Sequence, residues 1–116
     1  MDDGSAGDTG TASGPDEGGL RTVEAVVRGR VQGVGFRWFA QREASRLALG
    51  GWVANEADGS VRCEVTGSRP AVEAFIASLH EGPPSAWVER VEVHDRPVPD
   101  RPAARFEVRS GAHRGD

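Results

Sequence analysis

The sequence predicts an α+β sandwich, a four-stranded antiparallel sheet with two helices on one face, in the order β-α-β-β-α-β. Three observations carry that expectation. Apolar residues alternate at every second position around 23–27 and 61–65, the period of a half-buried strand. They recur at helical spacing over 36–48 and 72–79. Between the two middle strands stands Asp58-Gly59, a strong hairpin signal.

Taken in order, Val23, Ala25 and Val27 alternate with polar neighbours and predict a first strand over about 22–29. Glycines punctuate the loop from Gly29 to Gly35. Phe36, Phe39, Ala40, Ala44, Leu47 and Ala48 predict a helix over about 36–48, with Gly50-Gly51 expected to stop it through a left-handed residue. GWVANEA (51–57) reads as a second strand and SVRCEVTG (60–67) as a third, with Val61, Cys63 and Val65 on one face. Ser68 and Pro70 open a second helix whose Val72, Phe75, Ile76 and Leu79 follow i, i+3, i+4, i+7, and Gly82-Pro83-Pro84 ends it. Val91 and Val93 mark a fourth strand. The proline-rich RPVPDRP (96–102) makes a loop, and ARFEVR (104–109) is a candidate for a short closing strand. Two right-handed crossovers and a central hairpin give the ferredoxin-like arrangement. That arrangement hosts many unrelated activities, so the site must decide function.

The 116 residues suit one domain. Residues 1–19 are rich in Gly, Ser and Asp, with Met1 the one large apolar side chain, and are expected to form a disordered acidic tail. The folded domain is expected over 20–110, with a short tail over 111–116. The N-terminal stretch lacks the basic start and apolar run of a signal peptide, and no segment is long enough to span a bilayer, so a cytoplasmic protein is expected. The net charge of -4 belongs to the tail, which holds five acids (Asp2, Asp3, Asp8, Asp16, Glu17); the rest balances 13 acids against 14 arginines. Such a balance gives no footprint for nucleic acid or an anionic membrane. There is no lysine, which excludes Schiff-base chemistry and a lysine-bearing nucleotide phosphate loop. Cys63 is the one cysteine, and His80, His94 and His113 are scattered, so neither an internal disulfide nor a metal cluster is expected.

The informative segment is Gly29-Arg30-Val31-Gln32-Gly33-Val34-Gly35-Phe36-Arg37, between a strand and a helix. Unpaired N–H groups and the helix dipole favour an anion there. Gly33 and Gly35 free the chain to turn successive N–H groups inward as a nest, and Arg37 can return its guanidinium to the same anion. A dinucleotide fingerprint starting at Gly33 would need glycine in place of Trp38.

GRVQGVGFR resembles the signature of the acylphosphatase family, G-x-V-Q-G-V-x-[FY]-R, at every specified position. Gly51-Trp52-Val53-Ala54-Asn55, followed by Gly59, Val61 and Gly67, fits the family's second pattern. The resemblance covers roughly residues 22–109. It implies hydrolysis of acyl phosphates by direct attack of water at phosphorus, without a metal or other cofactor. It implies that the loop of Gln32, Gly33, Val34, Gly35 and Phe36 binds the phosphoryl group through main-chain N–H groups. It further implies that Arg37 binds it by side chain, that Asn55 positions the water, and that the substrate phosphate takes the water's proton. The expected partner is a small-molecule acyl phosphate, with no nucleic acid or membrane, and the expected state is a monomer. An alternative is a module that binds acyl or carbamoyl phosphate without turnover, like the start of a hydrogenase-maturation carbamoyltransferase; the short chain favours an independent enzyme. RNA binding, which shares the element order, would want aromatics on the third strand, and SVRCEVTG has none.

Other residues carry blander expectations. Trp38 and Trp52 are read as packing residues, Cys63 as a buried inert thiol, and His80 as a complement to the dipole of the second helix. Without its motif, Asn55 would read as a turn cap. Ala54 stands where many members of the family carry Lys, Arg or Gln. Trp87 receives no functional reading.

Overall fold

The computed structural model describes residues 19–110, so Met1–Gly18 of the expected acidic tail, and the expected tail over 111–116, lie outside the described residues. The chain runs β1 (Leu20–Arg30), α1 (Phe36–Arg46), β2 (Gly50–Asn55), β3 (Val61–Ser68), α2 (Arg69–Glu81), β4 (Trp87–Arg96) and β5 (Phe106–Arg109). The five strands lie in the order β4-β1-β3-β2-β5. The first four pair antiparallel, as the ferredoxin-like reading requires. The closing segment is a full fifth strand that pairs parallel to β2, so the sheet is mixed. α1 lies over β2 and β5, α2 over β1, β3 and β4, and the helices touch each other.

Strand parity builds the core. Ala25 sits opposite Cys63 and Val93, and Cys63 opposite Val53, so one inward row crosses four strands. Beneath it pack Phe36, Ala40 and Ala44 of α1 and Val72, Phe75 and Leu79 of α2, all buried. Each such large side chain contributes about 1.5–3 kcal/mol when removed from water. Cys63 belongs to this core, and burial pushes its thiol up to about 12, as expected of an inert cysteine.

The opposite face of the sheet is polar. Thr22 and Thr66 share a hydroxyl hydrogen bond of 2.6 Å. Glu24, 7% exposed, receives Arg62 Nε at 2.6 Å and Arg96 Nη2 at 2.9 Å. Burial alone would raise its carboxyl, but the two arginines more than offset this and hold it below the ordinary range. Trp52 is half-buried on this face, with the Arg109 guanidinium 4.9 Å above its ring.

Two boundaries differ from expectation. Gly50-Gly51 do not end α1; they open β2, where a Cβ on Gly50 would fall 1.8 Å from the Ala103 carbonyl oxygen. The left-handed residue is Ala48, at φ 59°. Leu49 N–H donates to Ala44 O at 2.9 Å and Ala48 N–H to Ser45 O at 3.1 Å, the two bonds of a Schellman cap. α2 starts as read, with Ser68 Oγ accepting from Ala71 N–H at 3.3 Å. The hairpin turn is wider than a two-residue turn. Glu56 N–H bonds Ser60 O at 2.9 Å, leaving Ala57-Asp58-Gly59 as a three-residue loop with Gly59 at φ 93°.

Candidate functional site

The loop between β1 and α1 is shaped by glycines with different duties. Gly29, at φ 133°, sits at a bulge: Arg28 pairs with Arg90 but Gly29 with Val88, leaving Glu89 extra on β4. A Cβ on Gly29 would lie 2.2 Å from the Trp87 carbonyl oxygen, so close backbone approach demands glycine. Gly33 and Gly35, at φ 76° and 80°, would place a Cβ in open space; their requirement is the left-handed backbone alone.

That backbone leaves donors available. Among the described residues, no main-chain N–H from Gln32 to Gly35 bonds a main-chain carbonyl. Gly35 is the N-cap of α1, without a side-chain cap and with no acid in the first turn. Such an end is a preformed site for negative charge.

Three elements converge on this end. Asn55 shares the parity of Val53, so from the last position of β2 it faces the helix layer. Val31, Gly33, Gly35, Phe36, Arg37, Trp38 and Asn55 line one pocket of about 120 Å³. Asn55 is only 9% exposed, yet among the described residues its side-chain amide has no hydrogen-bond partner. A buried amide without a partner costs about 1–3 kcal/mol, so its orientation toward a pocket calls for an explanation.

Arg37 projects from the first turn of α1, and its Nη1 donates to the Arg109 carbonyl oxygen at 2.6 Å. Since Arg109 pairs with Ala54, that bond anchors the guanidinium beside the end of β2. Gln32 acts differently from its neighbours. Its Nε2 donates to the carbonyls of Glu56 and Ser60, both at 2.8 Å, so the side chain clamps the loop onto the β2–β3 turn just beyond Asn55. Asp58 steadies the same turn, accepting from Ser60 N–H at 2.9 Å and Ser60 Oγ at 2.6 Å. Val34 packs toward the core, and Phe36 is buried there while also forming part of the pocket wall.

The acylphosphatase family model matches residues 23–108. The chain belongs to the acylphosphatase family. An acylphosphatase of a Nocardioides species is 52% identical over 81 residues, which is 69% of this chain and 82% of the relative. The structure of an acylphosphatase from Coxiella burnetii superposes with TM-score 0.73 at 36% identity, over 78% of this chain and 93% of that one. Full-length HypF in its phosphate- and nucleotide-bound form gives TM-score 0.72 at 30% identity, over 79% of this chain but 12% of HypF.

Within this member of the family, two features escaped the sequence. The Arg109 carbonyl that anchors Arg37 carries no signal, because every residue has a carbonyl. Trp38, expected to pack, is instead 60% exposed at the pocket's edge, because the core face of α1 is already filled by Phe36, Ala40 and Ala44. Neither His80, in the last turn of α2, nor His94, on β4, lies among the pocket residues. His113 lies outside the described residues. Among the described residues no helix is long and apolar enough to cross a membrane.

Proposed function

We propose that the pocket formed by the Gln32–Phe36 loop, Arg37 and Asn55 carries out the acyl-phosphate hydrolysis that defines the family, giving a carboxylate and inorganic phosphate. The phosphoryl oxygens lie against the main-chain N–H groups of the loop, and the Arg37 guanidinium takes two of them. Asn55 accepts a hydrogen bond from the attacking water through its side-chain oxygen. Water adds at phosphorus while the bond to the acyl oxygen breaks. That oxygen leaves with the electron pair as a carboxylate, and the water's proton passes to the phosphate. A carboxylate is a good leaving group and the transition state is loose, so positioning and charge stabilisation suffice.

The observation that carries the reading is the buried, unpartnered Asn55 amide facing the same small pocket as the uncapped start of α1 and Arg37. On this reading the enzyme works as a cytoplasmic monomer on a freely diffusing substrate. The edge strand β4 carries Glu89, Arg90, Glu92, Asp95 and Arg96, charges that oppose edge-to-edge pairing, and the one cysteine is free.

Arg37→Ala tests it. The fold should persist by circular dichroism, and kcat/KM for acetyl phosphate should fall by at least about 100-fold, the scale of ~3 kcal/mol for one lost preorganised donor. Turnover near that of the parent enzyme would exclude the proposed site.

A further inference from the structure

The described residues expose four large apolar side chains, Leu20, Trp38, Trp87 and Val98, and Trp38 is the one that also lines the pocket of Arg37 and Asn55. It is 60% exposed although it occupies the third position of an 11-residue helix whose inner face is well packed. An indole left in water at that place has no packing role that the fold needs.

The size of the pocket gives it one. About 120 Å³ is far below the ~300–1,000 Å³ of sites that enclose a whole small ligand. The pocket therefore suits the phosphoryl group, and the rest of an acyl phosphate must lie outside, across the rim. In-line displacement also sends the leaving carboxylate away from the attacking water. Asn55 stands on β2 and Trp38 on α1, so the wall that holds the water and the wall that carries the indole come from different elements.

We infer that Trp38 is the acyl-group platform of this enzyme, a specificity-determining residue whose ring favours flat, aromatic acyl phosphates over small aliphatic ones. The inference rests on the phosphate site proposed above, since it concerns the other half of the same substrate. An exposed aromatic face attracts a second ring by offset stacking and area burial, whereas an acetyl group covers little of it.

The test compares kcat/KM for benzoyl phosphate and acetyl phosphate in the parent enzyme, Trp38→Ala and Trp38→Phe. Trp38→Ala should lower the benzoyl-to-acetyl ratio by about 5-fold or more, the scale of one aromatic contact, with the larger loss falling on benzoyl phosphate. Trp38→Phe should retain most of the preference. An unchanged ratio, or an equal loss with both substrates, would overturn the platform. Binding of methylphosphonate and benzylphosphonate, followed by amide chemical shifts, reads the same preference without turnover. If the parent enzyme hydrolyses neither acyl phosphate, the reaction reading fails by itself. The platform then stands or falls on whether Trp38→Ala weakens benzylphosphonate about 5-fold while sparing methylphosphonate.

Discussion

At the scale of single residues, the candidate site divides into what a motif can carry and what it cannot. That Arg37, Gly33, Gly35 and Asn55 line one pocket was legible because each place calls for a residue type: a fixed cation, a left-handed backbone, a short amide at a strand end. The division of labour inside the loop was not. The family resemblance places Gln32 in the phosphate-binding loop, and its main chain lies there, but its side chain is spent on the carbonyls of Glu56 and Ser60. No spacing rule links position 32 to 56 and 60; the link exists only once the hairpin folds back beside the loop. Trp38 shows the reverse failure. Hydrophobicity predicts burial on average, but the inner stripe of α1 was already complete without it. The roles of the two polar residues lead to a kinetic expectation. On the proposed mechanism Asn55 acts on the water more than on the substrate, so Asn55→Ala should lower kcat at least about 10-fold while KM changes less than kcat. Steady-state kinetics with benzoyl phosphate check this, and a defect confined to KM would contradict the water-positioning role.

At the scale of elements, periodicity located both helices and the inner strands, and edges were harder. β4 was marked by Val91 and Val93 alone, yet it extends from Trp87 to Arg96. Its outer residues are charged because it is an edge strand with one polar face, a pattern that dilutes the strand signal. β5 is four residues long, too short for alternation to be decisive, and its parallel pairing with β2 follows from the long loop that brings it round. The end of α1 differs from expectation for a physical reason as well. Glycine is the usual left-handed terminator, and two glycines lay two residues downstream, but Ala48 takes that conformation at φ 59°. Leu49, buried in the core at 3% exposure, completes the cap through its N–H, while Ala48 carries the backbone strain of a left-handed non-glycine residue. That strain is recoverable. Ala48→Gly should raise stability by about 0.5–1 kcal/mol, the left-handed penalty less the extra chain entropy of glycine. Urea unfolding measures it, and a loss of stability would show that the Ala48 side chain contributes contacts that outweigh its backbone cost.

At the scale of the whole molecule, the sheet separates two functions by face. The helix-side face holds the core and, at one end, the pocket; the other face is held by ion pairs centred on Glu24. The ferredoxin-like order was legible from the sequence because every inner element alternates or repeats cleanly, whereas the partners of Glu24 come from β3 and β4 and carry no local signal. Acid should act through these carboxylates. Hydrogen bonds from the Ser60 hydroxyl and main chain, and then Arg28, hold Asp58 down to about 2. Its folded-state value lies below the unfolded one, near ~3.9, so its contribution is complete above that pH and is lost as pH falls toward about 2. Asp58→Asn cannot titrate, and its Tm should therefore fall less steeply than that of the parent protein between about pH 4 and pH 2. Equal slopes in a thermal series would remove Asp58 from the acid response. The most direct test of the central claim is a map of the entire chain. Inorganic phosphate titrated into the ¹⁵N-labelled protein should shift the amides of Gln32–Phe36 more than any others, and Arg37→Ala should abolish the response. Saturable shifts that leave those amides still and gather elsewhere would contradict an oxyanion site at the start of α1.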